Sequence, residues 1–552
     1  MKVLLTTLNA KFIHKNLALR WLYVARNKAM SVHIKEFTIK DDLHKISTAL
    51  LEENADILCF STYIWNIKQT MELVQLLKAS NPSIIILLGG PEVSFESEAL
   101  LNQGVDALSI GEGELSVWEY IDSIEQNNPH EINGIMSPSF PNRKYAYSQL
   151  EINEKWESPY FLDFDLDDLD KRYFYFETSR GCPYGCEYCL SSTDKKVRMF
   201  SEEYIFSVLA KIKDSKIRQV KFLDRTFNVL PERALRIARY INEFCVNQVF
   251  QFEIVAETLS EELLDFFVNE ADKERFRFEV GVQSFNPSTL KAVGRIQNNE
   301  RLKTVIQRLK MAHVVMHVDL IAGLPNEGID SFEASFNELF SLGASELQLG
   351  ILKLLKGTAI KRKADLYGFV YDENPPYEVR KTNWLSEIEL EKINACALAV
   401  EKYWNSGKCR RAIQCLLDLK LKDSAFALFM ELGLKLQRYE RRYHDHDLFI
   451  VLKECFNEQE LLIDSILLTD YMGLSKQKPK RLPLLRVSEI EHKSVFDEMI
   501  KQGILNQNQL HNYGRIEYAY VNECGFQVVL YNAEQTYPKR WFVNKEGEIS
   551  LL

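Results

Sequence analysis

Three cysteines, Cys182, Cys186 and Cys189, stand at Cys-x3-Cys-x2-Cys spacing in Thr178-Ser179-Arg180-Gly181-Cys182-Pro183-Tyr184-Gly185-Cys186-Glu187-Tyr188-Cys189. Three thiolates converging from one Gly-bearing loop can hold three irons of a 4Fe-4S cluster. The fourth iron is then left without a protein ligand. An open metal position can bind a substrate or cofactor directly. Structural zinc asks for four closed ligands, and an electron-transfer ferredoxin cluster asks for four cysteines. The next cysteine is Cys245, and no histidine occurs between His130 and His313, so no local fourth ligand exists. The spacing therefore favours a cluster with an open iron.

The elements around this loop must position it. The run Tyr173-Phe174-Tyr175-Phe176 reads as a strand that feeds directly into the cysteines. Further strand patterns fall at 219–224, 250–255, 277–282, 314–321 and 346–353. Helical periodicity fills the gaps at 201–213, 231–244, 260–270 and 299–311. Six such units over 171–360 predict an open (β/α)6 partial barrel. Barrel active sites collect at the carboxyl ends of the strands, where the cysteine loop lies.

Residues 1–130 form an earlier α/β series. Apolar β-rich runs at 2–7, 33–39, 57–63, 84–88 and 107–110 alternate with helical patterns at 66–79 and 114–124. Continuous apolar strands separated by helices imply a doubly wound parallel sheet. Ligands in such sheets bind beyond the carboxyl ends of the strands. Those ends carry Ser61-Thr62-Tyr63-Ile64-Trp65-Asn66, Gly89-Gly90-Pro91-Glu92 and Gly111-Glu112-Gly113-Glu114. A Gly-x-Gly-x-x-Gly fingerprint after the first strand is missing; the loop reads Leu8-Asn9-Ala10-Lys11-Phe12-Ile13-His14, which disfavours NAD. Residues 131–170 read as a linker with an acidic run, Asp163-Phe164-Asp165-Leu166-Asp167-Asp168.

The chain has 552 residues, 46% of them hydrophobic, enough for several packed domains. Its net charge of -10 argues against a broad nucleic-acid surface. Ten cysteines in this length are far too few for a disulfide scaffold. No apolar run reaches transmembrane length, and the N-terminus reads as a first strand rather than a signal peptide. A cytoplasmic enzyme in a reducing compartment is the expectation.

The cysteine motif resembles that of the radical S-adenosylmethionine (SAM) superfamily, in which Cys-x3-Cys-x-aromatic-Cys holds the cluster and SAM chelates the fourth iron. Tyr188 matches the aromatic position, which in the family packs near the adenine. The resemblance implies reductive cleavage of SAM to a 5'-deoxyadenosyl radical. It also implies contacts at successive strand ends. The second strand ends in Phe222-Leu223-Asp224-Arg225, without the family's common Gly-Gly-Glu. Asp224 is the candidate there for the methionyl amine. Glu257 is the candidate for the ribose hydroxyls. Gln283, Ser284 or Arg295 is the candidate for the carboxylate. Asp319-Leu320-Ile321-Ala322-Gly323-Leu324-Pro325 looks like the adenine-side loop.

The N-terminal series resembles the cobalamin-binding domain of cobalamin-dependent radical SAM enzymes. Ser61, Tyr63, Gly89, Gly90, Gly111 and Glu112 are its candidate cofactor contacts. Asp42-Leu43-His44 is a near match to the lower-ligand motif of other cobalamin proteins, but it follows the second strand and lacks the glycine. Asp41 or Asp42 reads better as a helix cap and His44 as an ordinary helix residue. The resemblance then implies base-off cobalamin, with its tail buried between strands and helices. Methylthiotransferases need three further cysteines in this region, which holds only Cys59.

Residues 361–552 turn helical, then mixed and β-rich, with no chemistry to assign. Tyr439-Glu440-Arg441-Arg442-Tyr443-His444-Asp445-His446-Asp447 reads as a polar loop rather than a metal site, and Lys476-Gln477-Lys478-Pro479-Lys480-Arg481 as an exposed linker. Aromatics over 513–520 and 531–541 read as a small β core. The function implied is methylation of an unactivated carbon, using a 4Fe-4S cluster, SAM and cobalamin, with electrons from a flavodoxin or ferredoxin. The alternatives are a cobalamin-dependent cyclase or oxidoreductase without methyl transfer, and a non-catalytic cobalamin or redox sensor.

Overall fold

The computed structural model describes residues 1–140, 150–152, 154, 156–418, 422–439, 444–455, 467, 470–471, 489–504, 516–521, 525–530, 539–544 and 548–551. The basic run 476–481, residues 440–443 and much of the two aromatic stretches at 513–541 lie outside them. The contacts divide the chain into two compact units. The first comprises Met1–His317, Gly323–Gly328 and Ile351–Ser386; the second comprises Val318–Ala322, Ile329–Gly350 and Glu387–Leu552.

The first unit opens with strands β1 (Lys2–Asn9), β2 (Ser31–Thr38), β3 (Ile57–Ser61), β4 (Ile85–Gly89) and β5 (Ala107–Ser109), parallel in the order β2-β1-β3-β4-β5. Side chains alternate across this sheet. Val3, Leu5, Ile57, Cys59 and Leu87 pack on one face with Leu19, Val117 and Trp118 of the helices Leu17–Ala25 and Ser116–Glu125. Leu4, Leu58, Phe60, Ile86 and Leu88 pack on the other with Ile46, Leu50, Leu73 and Leu77 of the helices Leu43–Leu51 and Ile67–Ser80. Both faces are apolar, so the strands read as unbroken hydrophobic runs. Asp42 caps the second helix by accepting from the Lys45 amide at 3.0 Å, and His44 lies in that helix's first turn.

One strand departs from expectation. β6 (Ile135–Met136), inside the stretch read as linker, pairs antiparallel with β5. Two residues are too few to show a period of two in sequence. The Ile110 amide fixes this strand by donating to the Gly134 carbonyl at 2.8 Å.

The second β/α series begins with β7 (Phe174–Phe176). A short antiparallel pair, β8 (Ser179–Arg180) and β9 (Arg198–Met199), brackets the cysteine loop. β10 (Gln219–Phe222), β11 (Val249–Ile254) and β12 (Phe276–Gln283) follow, all parallel with β7. Their helices start where expected. Ser201 caps Glu202–Lys213 by accepting from the Tyr204 amide at 3.1 Å, and Pro231 occupies the first turn of Pro231–Phe244. One face of these strands is aromatic: Phe222, Phe252, Phe276 and Phe278 pack under the helices. The other face is polar and half-buried. β13 (Val315–Ala322) and β14 (Glu346–Ile351) are the remaining two strands of the expected six in chain order.

The segment Ile351–Ser386, of which residues 361–386 read with the C-terminal region in sequence, belongs to the first unit. It contains the pair β15 (Val370–Tyr371) and β16 (Val379–Lys381). Ion pairs pin it: Lys356 to Glu92 at 3.1 Å, Lys361 to Glu96 at 2.6 Å and Lys363 to Glu187 at 2.7 Å.

In the second unit, Phe336 and Phe340 of the helix Ile329–Ser341 pack with Phe426 and Phe429 of Ala425–Gln437 and with Trp404. Strands β17 (Ile516–Val521), β18 (Gly525–Leu530), β19 (Lys539–Asn544) and β20 (Ile549–Leu551) form an antiparallel sheet in that order. The His444-Asp445-His446-Asp447 segment starts a helix, where the Asp447 carboxylate accepts from the His444 amide at 2.7 Å.

Candidate functional site

The cysteine loop is built by its backbone. Gly181 enters it at φ +87°, and a Cβ there would lie 2.4 Å from the Lys196 carbonyl oxygen. Only glycine fits that approach. The Cys182 amide donates to the Asp194 carbonyl at 2.8 Å, and the Cys189 amide to the Cys186 carbonyl at 3.0 Å. Glu187 anchors the middle: its amide donates to Val293 at 2.9 Å, and its carbonyl accepts from Ile360 at 3.0 Å. Cys182 and Cys186 are each 9% exposed, and Cys189 is half-buried. Burial pushes the Cys182 thiol up. A bound iron reverses that cost, because a coordinating thiol is deprotonated outright. Among the described residues no three His, Cys, Asp or Glu side chains close on a single ion. A cubane asks instead for one thiolate at each of three separate irons. The donor set fits a cluster with one open iron.

Arg180, just ahead of Gly181, is the hub of a buried ionic network. It lies 2.7 Å from Glu114, 3.1 Å from Glu177 and 3.6 Å from Glu112. Burial would lower its pKa, but the carboxylates of Glu177, Glu114 and Glu112 outweigh burial and hold it above its ordinary value. Arg198 on β9 grips Glu112 with both nitrogens, at 2.7 and 2.8 Å. Glu112, expected against cobalamin, is thus spent on two arginines of the cysteine hairpin.

The strand ends opposite the cysteines divide into free and engaged groups. Asp224 is engaged. Its carboxylate accepts from the Thr178 amide at 3.0 Å and from the Thr178 and Ser179 hydroxyls at 2.6 and 2.5 Å. Burial raises its pKa. It ties the end of β10 to the entrance of the cysteine loop, which leaves it little capacity for an amine. Ser284 is engaged too, donating to Glu327, a fully buried carboxylate that sequence reading did not single out.

Glu257 is different. Both of its carboxylate oxygens are buried with no hydrogen-bond partner, and burial raises its pKa. Two vacant acceptors fit a vicinal diol. Gln283 sits at φ +68°, and its amide oxygen is also buried and unpartnered. Arg295 reaches the loop itself: one nitrogen lies 3.5 Å from the Tyr188 hydroxyl and 3.9 Å from the Cys186 sulfur, and another donates to the Gly281 carbonyl. Of the three carboxylate candidates, Ser284 is spent on Glu327, and every nitrogen of Arg295 has a partner, its Nε donating to Gln297 at 2.7 Å; Gln283 keeps a vacant oxygen, which can accept from a ligand's N–H or O–H.

The N-terminal strand ends make a second edge. Asn16 caps the first helix and donates to the hydroxyls of Ser61 at 3.2 Å and Tyr63 at 3.1 Å. Tyr63 stacks on Trp65 at 4.4 Å, and Trp65 is 45% exposed. Gly90, at φ +103°, leaves no room for a Cβ, which would lie 2.5 Å from the Thr62 carbonyl oxygen. The Gly111 amide donates to Ser94 at 3.1 Å. Beside Gly89 and Gly113 the buried Ser109 hydroxyl has no partner. An exposed aromatic at one strand end and a buried, vacant hydroxyl beside the glycines of another fit a large planar cofactor with a heterocyclic tail.

Sequence reading missed Arg180, Arg198, Glu177 and Glu327. Arg180 offered a signal, since it stands next to the cysteine motif. Glu177 stands three residues before Arg180, whereas Arg198 and Glu327 lie far along the chain from Glu112 and Ser284.

Residues 176–339 match the model of the radical SAM superfamily, residues 3–120 the B12 binding domain, and residues 365–543 a protein of unknown function (DUF4080). The chain is similar to the cobalamin-dependent radical SAM methyltransferase TokK of Streptomyces tokunonensis, 25% identical over 54% of this chain and 47% of that protein. It is similar also to the 2-(S-pantetheinyl)-carbapenam-3-carboxylate methyltransferase of Streptantibioticus cattleyicolor, 26% identical over 53% of this chain and 46% of that protein. It spans about half the length of these curated relatives. In fold it resembles the cobalamin-dependent S-adenosylmethionine radical enzyme OxsB, with a TM-score of 0.59 and 17% identity over 92% of this chain and 81% of that one. With its cysteine loop after the first barrel strand, the chain carries a radical SAM superfamily domain over residues 176–339, behind a B12-binding domain over residues 3–120.

Proposed function

We propose that the chain is a cobalamin-dependent radical SAM methyltransferase acting on an unactivated carbon. The observation that carries this reading is the junction of Arg180 with Glu112 and Glu114. It holds the glycine-lined edge of the B12-binding domain against the entrance of the cysteine loop. Two cofactor sites that must cooperate are thereby fixed to one hub.

When bound, the cluster and SAM supply a hydrogen-abstracting radical, and cobalamin supplies the methyl group. The protein's own share is positional. Cys182, Cys186 and Cys189 hold the cluster. Glu257 accepts from the SAM ribose, Gln283 faces its methionyl end, Arg295 braces Tyr188 and the Gly281 carbonyl, and Tyr188 packs by its adenine. Ser61, Tyr63, Gly89, Gly90 and Gly111 line the cobalamin side. Asp224, Ser284 and Glu112 hold the loops in place. The functional modules are 1–130 for cobalamin and 171–360 for SAM, with residues 361–552 beyond them.

The electron donor is of the flavodoxin or ferredoxin class, and the compartment is the reducing cytoplasm. The nine described cysteines, all free thiols, support that compartment. Among the described residues no helix is long and apolar enough to cross a membrane.

The test is anaerobic reconstitution with iron, sulfide and cobalamin, followed by reduction in the presence of SAM. Release of both deoxyadenosine and S-adenosylhomocysteine supports methyl transfer. A cluster whose spectrum ignores added SAM would remove the proposal.

A further inference from the structure

We propose that the inner face of the barrel carries an oxyanion-recognition site, built on Lys221 and Arg277, for a carboxylate or phosphate group of the substrate. The proposal rests on reading the barrel as the place of reaction.

Strand register sets the site. Tyr175 pairs with Lys221 across β7 and β10, Lys221 with Gln251 across β10 and β11, and Gln251 with Arg277 across β11 and β12. These four residues form one rung, on the face opposite the buried phenylalanines. Neighbouring strands lie about 4.8 Å apart, so the Lys221 and Arg277 backbones stand roughly 10 Å from each other. Both side chains are long enough to converge over Gln251.

Neither cation has a direct ion-pair partner. Among the described residues no hydrogen bond or ion pair reaches Lys221 or Arg277, and the Arg277 Nε is buried without a partner. Lys221 lies over the Tyr173 ring, with its Nζ 4.8 Å from the ring centre, and feels the Glu279 carboxylate only at longer range. The carboxylates one rung higher have other neighbours. Glu279 accepts from the Gln251 amide, and Glu253 lies 3.9 Å from Arg225. Gln251 is itself oriented by Gln219, whose amide donates to it at 3.2 Å. At the near end of the rung the Tyr175 hydroxyl meets His14 Nδ1 at 2.6 Å.

Burial lowers the Lys221 pKa, Glu279 opposes that shift, and Arg277 adds to it by repulsion. Two like charges drawn out of water towards one another are costly unless something supplies the opposite charge. A guanidinium fork beside an ammonium is the pairing that suits carboxylate or phosphate oxygens. A substrate bearing such a group would be held at the rung with its reacting carbon towards the strand ends. A neutral substrate would leave both charges uncompensated.

The test uses the full chain with its cluster reconstituted and SAM bound. Calorimetric titration with inorganic phosphate, and separately with acetate, is run on the unaltered protein, Lys221→Met, Arg277→Met and Arg277→Lys. The expected result is saturable binding of one probe per chain. Its affinity falls at least tenfold in each Met variant and is partly kept in Arg277→Lys. Preference for phosphate assigns a phosphorylated substrate, and preference for acetate a carboxylate. No saturable binding, or equal binding to the unaltered protein and both Met variants, overturns the site. Deoxyadenosine release from the same samples separates the two readings. Oxyanion binding without release removes the reaction and leaves the site; release without oxyanion binding does the reverse.

Discussion

Arg180 and Glu114, far apart in the chain, meet at 2.7 Å, their side chains 13% and 7% exposed. The arginine adjoins the cysteine loop, and the glutamate closes the Gly-Glu-Gly-Glu turn after β5. Removing one partner of a buried ion pair costs about 3–5 kcal/mol, because the other charge is left uncompensated. Arg180→Leu strands Glu114 and Glu177 together, while Glu112 keeps Arg198. Its unfolding free energy should drop by an amount of that order, with iron and cobalamin retention falling in parallel. Denaturant titration with metal analysis checks this. Loss of iron alone would show that the hub serves only the loop.

Cys186→Ala should abolish deoxyadenosine release, by more than about 100-fold, since two thiolates leave a second iron without a ligand. Cobalamin absorbance should stay with the protein, because the B12-binding domain makes no use of that thiol. Anaerobic purification and product chromatography measure both quantities. Lost cobalamin with intact SAM cleavage would contradict the division of labour.

Two glycines allow the cofactor sites to be separated. Gly181→Ala places a Cβ against the Lys196 carbonyl, and Gly90→Ala places one against the Thr62 carbonyl. Each forces backbone to move, at about 1–3 kcal/mol. Gly181→Ala should lower iron content and spare cobalamin. Gly90→Ala should do the opposite. Metal analysis and the corrin spectrum of each variant decide the matter.

Glu257→Gln should trade affinity for stability. Burial raises the Glu257 pKa, so the folded state without SAM favours the protonated acid. The stabilisation that a raised carboxyl pKa brings is complete at pH values below its unfolded value. It is lost as pH rises through the folded one. The amide removes that loss. The variant without SAM should melt higher than the unaltered protein at pH 8, with the gain vanishing near pH 4. SAM affinity should fall about tenfold or more, as expected when hydrogen bonds to a charged acceptor weaken. Thermal melts across pH and SAM titration test the two halves. A variant no more stable at pH 8 would mean that the carboxylate already has a partner.

What was legible in sequence was local. The cysteine spacing, the strands feeding it and the apolar runs of the first sheet all lie within a few residues, and each appears where expected. Long-range pairing was not legible. Glu112 had the right position for a cofactor contact, yet Arg198, 86 residues on, claims it. Asp224 looked free until the Thr178 and Ser179 hydroxyls came round to it. Ser284 was offered to SAM, and a buried Glu327 accepts its hydrogen bond instead. Glu257 was correctly picked out as a strand-end carboxylate, but its isolation is a property of burial that no motif encodes. β6 escaped notice because a strand of two residues has no periodicity to detect.

The strap Ile351–Ser386 has a practical consequence. It reaches Glu92 and Glu96 beside the glycine turn of the first sheet, and Glu187 between two of the cysteines. Truncation at the last barrel strand would cut away the brace of both cofactor sites. A shortened catalytic fragment should therefore end no earlier than Ser386, even though the barrel itself closes its sixth strand at Ile351.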